Sequence, residues 1–427
     1  MLKWRYLLMQ LRTRLWIKPA LTGLAATVWI ETAFIASNWR MRPPFEIDRE
    51  LMLSLLQILA STMLTVAIFA VTAMVGAYAS VTTTATPRAS RLVMQDRSSQ
   101  NTLAAFLSAF IYAIVALVAL SAIPYGGLGR FFLFVGYVGI VVWVLVSFIR
   151  WVDQVSKLGR VHDTIQRVET AALEAFTDPI LAGTLGGKPA SLSAGDNHAK
   201  GLVIHTPKIG YLQFVDMEAL QGVAEECKST LRLEVRPGTF LDRCRPLLIV
   251  QGITSLDDEL KERLVRAFTL GVERHVESDP RFGLVMLAEI ADRALSPGIN
   301  DPGTAIAVIG SQVRLLSQWA DATRELDQAK VQFPKIEVPP LDAEDLLDDA
   351  FTPIARDGAA MFEVGMRLQK AFRSLQSLEH PLLAQAARHH AQLALHQALD
   401  KVPTGYHRDK LRAFAESSQR INNLGKL

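Results

Sequence analysis

The chain has 427 residues, of which 50% are hydrophobic and 20% are charged, and its mean hydropathy is +0.21. This composition argues against a purely cytosolic protein, and it excludes disorder because the chain has ample apolar surface to bury. The net charge of +3 is too mild for a dedicated nucleic-acid binder, so no nucleic-acid partner is expected.

The long apolar runs are concentrated in residues 1–150, which predicts a membrane domain there. Four runs are long enough to cross a hydrocarbon core, which requires about 20 residues of helix. They extend from Pro19 to Asn38, from Met52 to Tyr78, from Leu103 to Tyr125 and from Phe131 to Ile149. A turn-forming cluster between the last two runs is typical of a tight transmembrane hairpin.

The basic residues that flank these runs predict their orientation. Cytoplasmic loops of membrane proteins are enriched in Lys and Arg. Here basic residues precede the first span, separate the second from the third and follow the fourth, which places all three groups on one side. We therefore expect a multi-pass membrane protein with cytoplasmic N- and C-termini. The groups are Lys3, Arg5, Arg12, Arg14 and Lys18; Arg88, Arg91 and Arg97; and Arg150, Lys157, Arg160 and Arg167.

Polar and small residues recur along the second span at intervals of three, four or seven, so they form one helical stripe. Such a stripe faces something other than lipid. It serves either helix packing, in which small and hydroxylated residues allow close approach, or the lining of a water-filled pathway between assembled copies. Both interpretations stay open. The stripe contains Ser54, Gln57, Ser61, Thr65, Thr72 and Gly76.

Glu31 lies within the first span. A carboxylate inside the membrane is costly unless it faces protein, water or a cation. If the span ends early, Glu31 is merely interfacial; if the side chain is buried, it is the best candidate for an ion-linked or proton-linked site.

The remainder of the chain reads as a cytoplasmic α+β region. We expect a helix over 151–180 that continues from the fourth span, and a flexible Gly/Ser/Ala linker to about residue 200. Short β-like runs with one intervening helix then predict a small β module over 201–252. A further α/β segment covers 253–330. Beyond a linker with Pro334, Pro339 and Pro340, residues 341–427 are expected to form three helices.

The segment from Val235 to Leu247 reads as strand, Pro-Gly turn and strand. It resembles the turn of barrel-sandwich hybrid domains, as found in biotinyl-lipoyl modules. The expected architecture is therefore a small barrel-sandwich-like module. No lysine stands at a hairpin tip with that family's flanking residues, so no attached cofactor is implied.

Three motifs follow one another in the α/β segment. They are Gly271-x-x-Arg274, Asp279-x-x-Phe282-Gly283-Leu284, and the string Ile290-Ala291-x-Arg293-Ala294-Leu295-Ser296-Pro297-x-Ile299-Asn300-Asp301-Pro302-x-Thr304-Ala305. Behind four apolar runs, this pattern resembles the bacterial membrane-protein family known as domain of unknown function 2254. The resemblance covers nearly the whole chain in layout and implies a protein of the bacterial inner membrane, without implying an activity.

The last motif makes physical sense as a helix stop followed by a helix start. Pro297 and Gly298 would end one helix, Asn300 or Asp301 would cap the next, and Pro302 would occupy its first turn. The free amides there, near basic side chains, are also able to hold a small anion such as phosphate or a carboxylate. Structural turn and ligand site both stay open. The residues concerned are Arg274, Asp279, Arg293, Ser296, Asn300, Asp301 and Thr304.

The chain carries no motif that predicts catalysis or metal binding. It has no Walker sequence, no nucleophile elbow and no recognisable pairing of its two cysteines with a histidine. His275 stands alone near the motifs, whereas His389, His390 and His396 lie on a C-terminal amphipathic helix, where exposed or packing roles are expected. We therefore expect no metal, no cofactor and no enzymatic activity.

Two functions follow from these observations. The first is a homo-oligomeric ion channel or channel-like transport protein with a cytoplasmic domain, as the polar stripe and Glu31 suggest. The second is a membrane-anchored ligand sensor or scaffold that does not transport, in which the motif region binds a ligand or a partner. An enzyme ranks third.

Overall fold

The computed structural model describes residues 17–37, 39, 41, 43–84, 86–94, 97–157, 160–190, 201–326 and 331–424. The basic residues before Lys18, the end of the first predicted span at Asn38 and the last part of the predicted linker lie outside these ranges. Contacts between residues divide the chain into two compact units, Met1–Asp163 and Thr164–Leu427. We call them the membrane unit and the α/β unit. The finer domain division expected from the sequence stays a prediction.

The membrane unit is helical throughout its described regular structure. Its helices are α1 (Ile17–Ala36), α2 (Arg49–Thr84), α3 (Pro87–Met94), α4 (Arg97–Ala122) and α5 (Gly127–Lys157). Among the residues that the structure describes, three segments are long and apolar enough to cross a membrane, namely Arg49–Ser80, Asn101–Ala122 and Gly127–Val155. These match the second, third and fourth predicted runs. The apolar segment Ala20–Ala36 is shorter, so the count of four spans is not confirmed.

Helix α4 is the centre of the membrane unit, because α1, α2 and α5 all pack against it. Fully buried alanines along α4 allow this close approach, as is usual between apolar helices that share no hydrophobic driving force. Tyr112 of α4 is also buried, and its hydroxyl donates a hydrogen bond of 2.5 Å to the carbonyl of Leu133 in α5. The alanines are Ala105, Ala109, Ala113 and Ala116.

The helix expected over 151–180 is two helices rather than one. Helix α5 ends at Lys157, and α6 begins at Val161 and ends at Thr177. A short helix, α7 (Pro179–Ala182), follows.

The α/β unit contains two small sheets. The strands are β1 (Gly187–Pro189), β2 (Gly201–His205), β3 (Gly210–Val215), β4 (Leu231–Leu233), β5 (Phe240–Leu241), β6 (Pro246–Gln251), β7 (Phe268–Gly271) and β8 (Phe333–Val338). A five-stranded sheet has the order β1-β8-β4-β6-β2, and a three-stranded sheet has the order β5-β3-β7. Helices α8 (Met217–Glu226) and α9 (Asp258–Arg266) accompany them. The strands and the helix predicted within 201–252 are thus present.

These pairings do not confirm a barrel-sandwich module confined to 201–252. Two of the five strands in the larger sheet, β1 and β8, come from outside that range, and β8 pairs in parallel with both β1 and β4. The predicted proline linker therefore contains a strand. Pro334 is tolerated because it stands near the start of β8, and Ile336 and Val338 supply its fully buried positions.

The rest of the α/β unit is helical. Its helices are α10 (Pro280–Leu295), α11 (Pro302–Leu326), α12 (Ala343–Asp357), α13 (Phe362–Gln376), α14 (Pro381–Lys401) and α15 (Gly405–Leu424). The C-terminal part thus has four helices where three were predicted. The additional break falls at Pro403, between α14 and α15, since proline is disfavoured inside a helix. Helix α10 packs on α11 and α12, and α14 packs on α12 and α13.

Candidate functional sites

The polar stripe of α2 faces away from the helix bundle of the membrane unit. The packed side of α2 is formed by Met52, Leu56, Leu59, Ala60, Ala67, Ala70 and Met74, all buried. With about 3.6 residues per turn, the stripe lies on the opposite side of the helix. All six of its residues are exposed: Ser54, Gln57, Ser61, Thr65, Thr72 and Gly76. Within one chain, the stripe therefore does not serve helix packing.

Three hydroxyl groups of the stripe donate hydrogen bonds to carbonyls of their own helix. Ser61 donates to the carbonyl of Ile58, Thr65 donates to that of Ser61 and Thr72 donates to that of Ile68, at 3.0–3.1 Å. The longer amide of Gln57 carries two donors and an acceptor. It is the stripe residue that most needs a partner outside the helix.

Glu31 lies in the last third of α1, and its side chain is exposed on the outside of the membrane unit. The structure thus does not bury it within one chain. A separate cavity of about 400 Å³ lies between α1, α4 and α5 and is lined almost entirely by apolar atoms, among them those of Trp29, Tyr112 and Trp143. Neither Glu31 nor the stripe lines this cavity.

In the α/β unit, Arg274 and Asp279 form a buried ion pair. The Arg274 Nε atom lies 2.6 Å from Asp279 Oδ2, and the Asp279 side chain is only 2% exposed. Burial raises the pKa of the Asp279 carboxyl above its ordinary value, while the hydrogen bond from Arg274 counters the rise. Removing Arg274 would take away the hydrogen bond that contributes most to compensating this buried carboxylate, so we expect the change to destabilise the fold.

Two further arginines surround this pair. Arg236 donates to the carbonyls of Gly183 and Pro339 at 2.7 and 2.8 Å. Burial lowers its pKa to about 10, and the Asp279 carboxylate opposes that shift. Arg281 turns instead to α12, where its Nε atom lies 2.6 Å from Asp349. These ion pairs connect the start of α10 to the residues that follow β7, through Arg274 and Asp279, and to α12, through Arg281 and Asp349.

The Pro-Gly turn explains how Asp279 is accommodated. Gly238 has a φ of +92°, a conformation that favours glycine. A Cβ atom at this position would lie 2.1 Å from Asp279 Oδ2. The Pro-Gly turn predicted from the sequence therefore packs directly against the buried carboxylate of Asp279. That contact was not predictable from the sequence.

The loop from Ser296 to Thr304 is a helix stop and start. Ser296 Oγ donates to the carbonyl of Arg293 at 2.6 Å, and Asn300 takes a φ of +53°. Asp301 is the capping residue, because its carboxylate accepts from the amide and the hydroxyl of Thr304 at 3.1 and 2.6 Å. The contacts with Thr304 lower the pKa of Asp301. A carboxylate of the chain itself thus occupies this helix N-terminus.

The structure separates the motif residues into two groups at opposite ends of α10. Arg274 and Asp279 precede the helix, whereas Ser296, Asn300, Asp301 and Thr304 follow it. The 16 residues of α10 correspond to about 24 Å at 1.5 Å per residue. Arg293 belongs to the second group, and its Nε atom is buried without a hydrogen-bond partner among the described residues.

A third cluster lies between α12 and α14, where Glu344, His389 and His390 place one ligand atom each within 4.8 Å of one another. Nothing in the sequence alone indicates that these three residues lie together. The two histidines are 45 or more positions away from Glu344, and their spacing fits no metal-binding motif. Only the packing of α12 on α14 brings them together.

Long apolar helices in one unit and a mixed α/β fold in the other define an integral membrane protein. The chain belongs to the family described as predicted membrane protein, domain of unknown function 2254, whose model matches residues 12–374. The resemblance found in the motifs is thereby confirmed.

Curated relatives include uncharacterized proteins from Mycobacterium bovis and from the H37Rv and CDC 1551 strains of Mycobacterium tuberculosis. Each is 35% identical over 117 residues, which cover 26% of this chain and 22% of the relative. The match therefore spans less than a quarter of each relative's length. No solved structure shows a significant match to the chain.

Proposed function

We propose that the protein is a homo-oligomeric ion channel, or a channel-like transport protein, of the bacterial inner membrane. The observation that carries the proposal is the exposed polar stripe of α2, which faces away from the packed side of its own unit. In this arrangement, stripes from several copies line a shared pathway for small ions.

The cost of exposing a polar amide to lipid favours assembly. Polar side chains within membrane spans face protein or water, because hydrocarbon offers no hydrogen bonds. Gln57 lies on an apolar helix beside exposed Ile58 and Leu51, so a lipid-facing position would leave its amide unsatisfied. A neighbouring copy or a column of water would satisfy it.

The proposal includes α1 as a fourth span and both termini in the cytoplasm. Helix α1 has 20 residues, which at 1.5 Å per residue is about 30 Å, the thickness of a typical hydrocarbon core. An even number of spans returns the chain to its starting side, and the basic flanks then favour the cytoplasm for both ends. The α/β unit serves docking or gating, without a catalytic step.

Ion flux into liposomes that contain the purified protein tests the proposal. We expect flux with the wild-type protein and at least a tenfold reduction for Gln57→Leu and Thr65→Leu, because leucine removes polar groups from the pathway. Thr62→Leu is the matched control. Thr62 is exposed on the same helix but lies about a quarter turn from the stripe, so its replacement should leave the flux unchanged.

Cross-linking separates assembly from transport. After replacement of the two native cysteines by serine, Ser61→Cys should form disulfide-linked dimers in the membrane. Cross-links without wild-type flux would refute the channel and favour the alternative, a non-transporting sensor or scaffold whose stripe joins its subunits. Flux that is equally sensitive to Thr62→Leu and Thr65→Leu would refute the assignment of the stripe as the pathway.

A further inference from the structure

We propose that Glu344, His389 and His390 bind one divalent transition-metal ion, with zinc the best match, and that Asp348 lies ready as a further ligand. The site would join α12 to α14. This proposal is independent of transport, since every residue in it belongs to the α/β unit.

The elements place the four side chains together for simple geometric reasons. Glu344 and Asp348 are four residues apart on α12, so they lie on one face of that helix. His389 and His390 are consecutive on α14, which packs against α12. Consecutive residues of a helix point about 100° apart, so the two rings approach Glu344 from different directions. His389 approaches it with Nδ1, and His390 approaches it with Nε2.

Two distances from Glu344 to the histidine nitrogens are close to those around a metal ion, and all three ligand atoms lie within 4.8 Å of one another. Glu344 Oε2 lies 3.1 Å from His389 Nδ1 and 3.2 Å from His390 Nε2. A tetrahedral zinc ion with bonds of 2.0–2.1 Å holds its nitrogen and oxygen ligands about 3.3–3.4 Å apart. Asp348 Oδ1 lies 3.8 Å from His390 Nε2, so a small side-chain movement brings it into the same shell.

His390 presents a buried ring nitrogen to the cluster. Its side chain is 4% exposed and its Nε2 atom lies 3.2 Å from Glu344 Oε2, but in a geometry that makes no hydrogen bond among the described residues. Imidazole nitrogen is the commonest side-chain metal ligand in proteins.

Surrounding contacts order the cluster. Thr352 Oγ1 donates to Asp348 Oδ1 at 2.8 Å, and the backbone amide of Glu344 donates to Asp342 Oδ1 at 2.9 Å, which caps the start of α12. The Phe372 ring is inclined by 30° to the ring of His390, with centroids 6.4 Å apart. His389 is 56% exposed, which leaves an ion a route from solvent.

The ligand set selects the class of ion. Calcium and magnesium favour six or more oxygen ligands, whereas two imidazoles with a carboxylate suit zinc and its transition-metal neighbours. We therefore expect zinc or cobalt to bind and magnesium to fail at the same concentration.

The test is a titration of the full-length protein in detergent, without a polyhistidine tag and after removal of metals with a chelator. Calorimetry with zinc chloride should give one equivalent per chain. His390→Gln and Glu344→Gln should weaken this binding at least 100-fold and 10-fold. His396→Ala is the matched control, because His396 is exposed on the same helix and should leave the affinity unchanged.

The visible absorption of bound cobalt reports coordination directly, and a change in folding alone does not produce it. Bound cobalt should show the intense visible absorption of four- or five-coordinate sites, and excess zinc should abolish it. Circular dichroism of each variant verifies that its helices are intact. Absence of stoichiometric binding, affinity unaffected by both glutamine substitutions, or a loss as large for His396→Ala would overturn the proposal.

Discussion

Single buried charges in the α/β unit show how position changes the chemistry of a side chain. Asp292 on α10 has one carboxylate oxygen, Oδ1, that is buried without a hydrogen-bond partner among the described residues. Its other oxygen lies 3.6 Å from Arg356 Nη2. Burial, with a contribution from Asp357, raises the pKa of Asp292 to about 6, and Arg356 only partly opposes this. The folded protein therefore binds a proton here more tightly than the unfolded chain does.

This shift predicts a pH dependence of stability. The stabilising contribution of protonated Asp292 is complete below its unfolded pKa of 3.8 and is lost as the pH rises through about 6. Asp292→Asn should therefore be more stable than the wild type at pH 8, by about 1–3 kcal/mol. The difference should shrink as the pH falls through about 6 and vanish below pH 3.8. Thermal unfolding of both proteins at several pH values measures it, and a constant difference from pH 4 to pH 8 would contradict it.

At the scale of elements, the close approach of α10 to α6 depends on a glycine. Gly283 lies on the buried side of α10, against α6. A Cβ atom there would come within 2.3 Å of the Cβ atom of Ala172, which is fully buried in α6. The glycine in the Phe-Gly-Leu motif is thus explained by helix packing rather than by ligand contact.

Gly283→Ala should therefore destabilise the α/β unit by about 1–3 kcal/mol, since the added methyl group pushes two packed helices apart. Gly222→Ala is the control, because Gly222 is exposed on α8 with no atom within 4 Å of the added position. That change should be neutral or stabilising by up to about 1 kcal/mol. Hydrogen exchange of peptides from α6 and α10 reports the effect, and equal exchange in both variants would refute the explanation.

At the scale of the whole molecule, the orientation in the membrane depends on the distribution of charge around the spans. The two free cysteines allow it to be read directly, since both lie in the α/β unit and Cys244 is exposed. Burial raises the pKa of Cys227, with Glu226 adding to the rise and Arg263 opposing it, so its thiolate is scarce at neutral pH.

A maleimide that cannot cross membranes should therefore leave Cys244 unlabelled in intact spheroplasts and label it in inverted vesicles. Cys227 should react more slowly in the same vesicles. Cys244→Ser identifies the faster site, since it should remove most of the signal. Fast labelling in spheroplasts would place the α/β unit outside the cytoplasm and reverse the proposed orientation.

The sequence alone determined features that depend on local pattern. Apolar runs marked α2, α4 and α5, short β-like runs marked β2 and β6, and the Asn300-Asp301-Pro302 string marked a helix start that Asp301 indeed caps. Each of these signals lies within a few residues of the structure it specifies, and hydrophobic burial or a single hydrogen bond is enough to fix it.

Tertiary structure alone decided what requires distant segments to meet. Strand β8 joins the larger sheet through parallel pairing, which no local sequence pattern predicts. Gly238 packs against Asp279, 41 positions further along the chain. The cluster of Glu344, His389 and His390 exists because α14 packs on α12. The distribution of apolar residues along the chain located the segments long enough to cross a membrane. Long-range packing decided which polar groups lie next to one another and therefore what they can bind.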